Sequence, residues 1–250
     1  MPFTPDERAY LDETYVRRTV PTPADTAAAR FNWGPEISRY SDVFSYEGAP
    51  DPKKWAAAGE PWPGHAGNGE RRASRSVVGG GFLRQTGTAD GKTGWLASRL
   101  SWQYARLEVR CRSLPNGANP GGGRQYHPVL ILWPTNNDWP AGAEYDFLEN
   151  RAPGMSRAEA FLHYPNHRPR TQEHAAKDGV DLTQWHNVGF EWSRTGLVGY
   201  MDGAEWFRFD RDGIQNAPGP MHLTIQLDAF VPSGLQPAFF DVQWAKFYNV

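Results

Sequence analysis

Tyr104-Ala-Arg-Leu-Glu-Val-Arg-Cys-Arg-Ser113 alternates without a break. Ala105, Leu107, Val109 and Cys111 fall on one side; Tyr104, Arg106, Glu108, Arg110 and Arg112 fall on the other. This period of two predicts a strand with one buried face. It also makes Cys111 a core thiol rather than a nucleophile. Outward from this stretch, further strands are expected at Val129–Trp133, Glu144–Glu149, Glu159–Tyr164, His186–Trp192, Leu197–Met201, Ala204–Phe209, His222–Asp228 and Phe239–Tyr248. Asp202-Gly203 joins two of them, a strong short-range hairpin signal. Strands recur every ten to fifteen residues with no long helical pattern between them. Gly (26) and Pro (21) are abundant and aromatics make up 14% of the 250 residues, which excludes a helical bundle or coiled coil. The expected fold is all-β, an antiparallel two-sheet sandwich.

The rest of the chain bounds the organisation. Residues 1–30 read as an N-terminal arm, with a short capped helix at Pro5–Val16 and a small, Ala-rich segment at Pro21–Arg30. Residues 31–250 read as one domain, loop-rich from Phe31 to Gly94, with Pro61-Trp-Pro63 and the Gly79–Gly81 triplet acting as turns. One cysteine excludes an intramolecular disulfide framework. A net charge of −2 gives no basic footprint for nucleic acid or an anionic membrane. The longest strongly apolar run, Val129–Trp133, is far too short to span a bilayer. The first residues carry no stretch of signal-peptide type, which leaves the compartment open.

Chemistry concentrates in Trp139-Pro-Ala-Gly-Ala-Glu144-Tyr-Asp146-Phe-Leu-Glu149. On a regular strand Glu144 and Asp146 share a face, and the bulky Tyr145 and Phe147 point to the core. Glu149 lies an odd number of positions away and would point inward as a costly buried charge. A β-bulge near Phe147–Leu148 returns it to the acidic face. Glu144 and Glu149 would then stand about 5–5.5 Å apart, the spacing of retaining glycosidases. Mutual repulsion with Asp146 between them would raise one carboxyl, as a general acid requires. On spacing alone, a solvated acidic edge strand or a cation site fits equally well.

E-x-D-x-x-E after W-P-x-G resembles the signature of glycoside hydrolase family 16, in its laminarinase, agarase and carrageenase branch. Five further segments resemble that family in the same order: Tyr104–Arg110, His127–Pro134, Trp185–Trp192, Met221–Leu227 and Val242–Tyr248. The resemblance covers residues 31–250 and implies a concanavalin-like β-jelly-roll whose concave sheet forms a sugar-binding cleft. By motif position it implies Glu144 as nucleophile, Asp146 as the residue that tunes it, and Glu149 as acid/base. Trp139 matches the family's Trp beside the cleavage subsite, and His163 its cleft histidine. Gln226 stands for a cleft Asn, and Asn68 for the start of an early N-x-E segment. Two departures stand out. Ile131 replaces a Trp, for which Trp133 on the same face is a candidate substitute, and His127 occupies another usual Trp position.

Arg106 is a candidate groove residue, or else the ion-pair partner of an acid on its sheet. Trp185 and Trp192 read as core. His65, His163, His167, His174 and His186 fit no compact metal motif. Gln243 stands where family members place an Asp calcium ligand, so neither metal nor cofactor is expected. The implied function is retaining, endo-acting hydrolysis of a β-linked polysaccharide. A β-1,3-glucan of laminarin type is the default substrate and a galactan the competitor. Polysaccharide is the expected partner, with no nucleic acid or membrane, and the expected state is a monomer acting outside the cell or on a virion or cell surface. The alternatives are an inert carbohydrate-binding sandwich and a glycan-degrading virion or cell-surface component.

Overall fold

A computed structural model describes residues 23–57 and 61–250. Strands β1 (Trp55–Ala57), β2 (Trp62–Pro63), β3 (Glu70–Arg71), β4 (Ser76–Gly79), β5 (Phe82–Gly87) and β6 (Lys92–Thr93) fill the segment expected to be loop-rich. The body follows with β7 (Trp95–Trp102), β8 (Ala105–Ser113), β9 (Tyr126–Pro134), β10 (Glu144–Glu149), β11 (Arg157–His163) and β12 (Gln172–Asp178). It ends with β13 (His186–Ser193), β14 (Gly196–Met201), β15 (Ala204–Phe209), β16 (Met221–Ala229) and β17 (Ala238–Tyr248). A front sheet runs β1-β7-β16-β9-β10-β11-β12 and a back sheet runs β15-β14-β13-β8-β17-β5-β4, each antiparallel throughout. A small sheet, β2-β3-β6, includes one parallel pair.

Alternation builds the core between the two large sheets. Leu107, Val109 and Cys111 of β8 face Leu130 and Leu132 of β9 and Tyr145 and Phe147 of β10 in one hydrophobic cluster. Burial pushes the Cys111 thiol well above its ordinary range, as expected for an inert core group.

The expectation that β8 buries only one face is corrected. Glu108, Arg110 and Arg112 are buried as well. The chain around α1 (Ala27–Arg30) covers that face: Thr26 caps α1, and Glu108 accepts the Ala27 and Ala28 N–H groups at 2.8 and 3.2 Å. Asp241 of β17 accepts from both Arg84 and Arg112. A charged face is tolerable there because every carboxylate has a donor. The helix expected at Pro5–Val16 lies outside the described residues.

Candidate active site

The geometry of β10 is set by one irregularity. Against β9, Asp146 pairs with Ile131 and Leu148 with Leu130, so two steps on β10 match one on its partner. Against β11 the register shifts between Asp146 and Glu149. Phe147 and Leu148 both pack into the core. The extra residue returns Glu149 to the front face, level with Val129 of β9, where it joins Glu144 and Asp146.

A groove of about 670 Å³ opens on that face. Glu144, Gln226, Ile131, Trp133 and Trp139 line it, together with Trp62, Trp95, His65 and Arg71. Trp139 is 45% exposed and Trp62 39%, unusual for side chains whose apolar area favours burial. Trp62 packs on Trp95 at 4.9 Å between ring centroids, and the Trp133 indole N–H donates to Asn137. Arg71 reaches the groove but spends its guanidinium on Asp228 at 2.9 and 2.6 Å, leaving a largely aromatic, charge-paired surface.

Burial is the leading electrostatic influence on Glu144 and Asp146. It pushes Glu144 up to about 7, opposed by contacts from Trp139 and Asp146 and reinforced by the charge of Glu149. Asp146 rises well above the usual carboxylate range, through burial first and then the charges of Glu144 and Glu149. The side-chain hydrogen bond between the two raises Asp146 and lowers Glu144, the signs expected when Asp146 is the donor and Glu144 the acceptor. His163 stands opposite Glu144 on β11, with its Nε2 4.0 Å from Asp146 Oδ2. Burial and then the charge of His167 lower it to about 4, so the ring is neutral at pH 7. The Trp139 ring stands edge-on to both His163 and His167.

Glu149 is held differently. Its Oε1 lies 2.6 Å from His127 Nδ1, and His127 Nε2 lies 3.1 Å from the Arg124 carbonyl. Phe230 stacks on the His127 ring at 3.5 Å and 8° between planes, and His65 stacks on Phe230 at 4.2 Å and 13°.

No protein-family model matches the chain. A beta-glucanase of Rhodothermus marinus is 27% identical over 199 residues, covering 70% of this chain and 66% of its own length, just under two thirds. Among solved structures, a non-specific endo-beta-1,3(4)-glucanase of family GH16 superposes with a TM-score of 0.67 at 22% identity, over 86% of this chain and 91% of its own. A Zobellia galactanivorans protein, solved with laminaritriose and laminaritetraose, gives 0.68 at 18% identity, over 84% and 98%. The chain is thus similar in sequence to a beta-glucanase and in fold to glycoside hydrolase family 16. Its two sheets form the family's β-jelly-roll sandwich.

Within that family frame, the structure gathers most of the sequence-derived site. Glu144, Asp146, Glu149 and His163 share the front face, and Trp133, Trp139 and Gln226 line the groove. Two candidates fall elsewhere. Arg106 lies on β8 of the back sheet and pairs with Glu191 at 2.9 Å, so the ion-pair alternative describes it and the groove assignment does not. Asn68 closes the turn after His65–Gly67, with its N–H on the His65 carbonyl, beside the groove lining rather than on it.

Sequence reading missed Trp62, Trp95 and Phe230, and it took His127 only as a departure at the rim. Pro61-Trp-Pro63 carried a signal: an aromatic between prolines in a loop has little core to enter. Among the described residues, no three His, Cys, Asp or Glu side chains cluster to hold a metal ion. At the family's calcium position, Gln243 Oε1 accepts from Arg110 Nε at 2.7 Å, and a guanidinium on that oxygen does not fit a cation ligand.

Proposed function

We propose that the chain is a retaining, endo-acting glycoside hydrolase of β-linked polysaccharide, with β-1,3-glucan as its default substrate. The observation that carries this reading is the bulge that sets three carboxylates on one face beside a tryptophan-lined groove. A binding module has no use for three mutually repelling acids. Glu144 attacks the anomeric carbon while Glu149 protonates the departing glycosidic oxygen; water then displaces Glu144 as Glu149 takes the proton back. Asp146 donates to Glu144, stabilising its carboxylate and tuning its attack. Trp133, Trp139 and Gln226 hold sugar rings and hydroxyls.

Ile131 keeps a galactan as the second substrate reading, because it lines the groove where the resembled family usually carries tryptophan. No metal or cofactor enters any step. A polysaccharide is met outside the cell or on a virion or cell surface, and the enzyme is placed there. Release of reducing ends from a panel of β-glucans and galactans identifies the sugar. NMR of the anomeric proton in the first minutes tests the stereochemistry: double displacement gives the β anomer first, and an α anomer appearing first overturns it.

A further inference from the structure

We propose that His127 is a positioning residue that makes Glu149 one half of a His–Glu dyad, engaging Oε1 and leaving Oε2 to face the glycosidic oxygen. The inference rests on the reading of Glu149 as acid/base. Its starting point is the Arg124 carbonyl, 3.1 Å from Nε2. A carbonyl only accepts, so Nε2 carries its hydrogen in every protonation state. The second contact, Nδ1 to Oε1 at 2.6 Å, must then hold one proton between the two groups. That proton points along the dyad, away from the groove.

The acid that serves the substrate therefore needs a further proton on Oε2. The competent state carries Nδ1–H donating to Oε1 together with Oε2–H. When Oε2–H passes to the glycosidic oxygen and the C–O bond breaks, the carboxylate left behind is already paired with the imidazolium. When water attacks in the second step, its proton returns to Oε2. Each step conserves protons, and the ring keeps both of its own.

The surroundings are built to keep this geometry. His127 is 4% exposed and its ring lies flat against Phe230, so it cannot turn without displacing that stack. Asp228 on β16 is its cross-strand neighbour, but Arg71 neutralises it. On β10, Glu144 and Asp146 lie near Glu149, and Arg151 feels its charge from the far side. His65 is separated from His127 by the Phe230 ring. Glu149 is thus the carboxyl in direct contact with the imidazole.

The test compares His127→Phe, which removes the donor, with His127→Gln, which offers an uncharged one. Loss of the imidazolium makes Oε2–H harder to release but easier to keep. Both variants should therefore move the basic limb of the kcat/KM profile upward by about one pH unit, leaving the acid limb in place. Turnover of polysaccharide should fall roughly tenfold or more in His127→Phe and less in His127→Gln. Aryl glycosides whose leaving groups need no proton should be nearly unaffected in the first step. Equal losses on both substrate types with an unmoved basic limb would reduce His127 to packing and overturn the inference.

Imidazole NMR gives a readout independent of turnover and of how well His127→Phe folds. The His127 titration should shift on Glu149→Gln in the otherwise intact chain, and an unchanged titration also sinks the dyad. Glu149→Ala separates the two layers of the argument. Loss confined to poor leaving groups, with rescue by azide, upholds the acid/base reading whatever His127 does; equal loss without rescue removes that reading and the dyad with it.

Discussion

At the scale of single residues, the active site works against the stability of the fold. Burial raises Glu144 from 4.5 to about 7, so its ionised form, the one the proposed mechanism needs for attack, is the form the folded state disfavours. The contribution of this group to stability is complete below pH 4.5. It is lost as pH rises toward 7 and stays lost above. Glu144→Gln removes the titration altogether. It should abolish turnover on every substrate, yet raise stability at pH 8 by about 1–3 kcal/mol and change it little at pH 4. Thermal melts at the two pH values check this, and a variant equally stable or weaker at pH 8 would contradict the burial of that charge. The same shift sets the rate profile of the wild type: kcat/KM should fall as pH drops through about 7, where Glu144 gains its proton. The three carboxylates were legible in the sequence because their spacing is chemically extravagant. Phe230 and Arg71 were not, because each matters only through a partner far away in the chain, His127 and Asp228 respectively.

At the scale of the element, β10 shows how one extra residue gathers three carboxylates onto one face of a strand. The bulge was legible because plain alternation would have buried Glu149 without a partner. Strands β5 and β12 were not legible, for opposite reasons. Phe82–Gly87 is buried on both faces and shows no alternation, whereas Gln172–Asp178 lies at the sheet edge and is too polar to reveal a buried face. The arrangement of β10 is testable by deletion. Removing Leu148 leaves Glu-Tyr-Asp-Phe-Glu, in which all three acids share a face by simple alternation. This variant should fold at some cost in core packing, since Leu148 is 3% exposed, and should keep detectable activity. Removing Tyr145 instead puts Glu144 beside Asp146 on opposite faces, strips a buried ring from the core and should destroy activity. Circular dichroism and melting establish folding before activity is compared. A well-folded Leu148 deletion with no turnover would refute this account of the strand.

At the scale of the whole molecule, the position of β10 within its sheet decides how much surface lies on either side of the three carboxylates. In the order β1-β7-β16-β9-β10-β11-β12 it has four strands on one side and two on the other. Seven strands at about 4.8 Å make a sheet roughly 29 Å across, so sugar units have surface to rest on beyond the carboxylates in both directions. The aromatic groove, with Trp62, Trp95 and Trp133, occupies the broader side, while Phe161 stacked on His174 continues the front sheet on the narrower one. On the proposed endo-acting reading, a chain seated across this face is cut in its interior. The viscosity of a long β-glucan should therefore collapse well before reducing ends accumulate, and blocking the chain ends should leave the initial rate unchanged. Shortening an oligosaccharide should cost roughly tenfold in kcat/KM for each lost contact contributing about 1.4 kcal/mol, with Trp62→Ala reproducing part of that loss on long substrates and none on short ones. Viscometry run beside a reducing-end assay decides it: monosaccharide release from the first minute, with viscosity falling only in step, would mean an end-directed enzyme and a groove closed on one side.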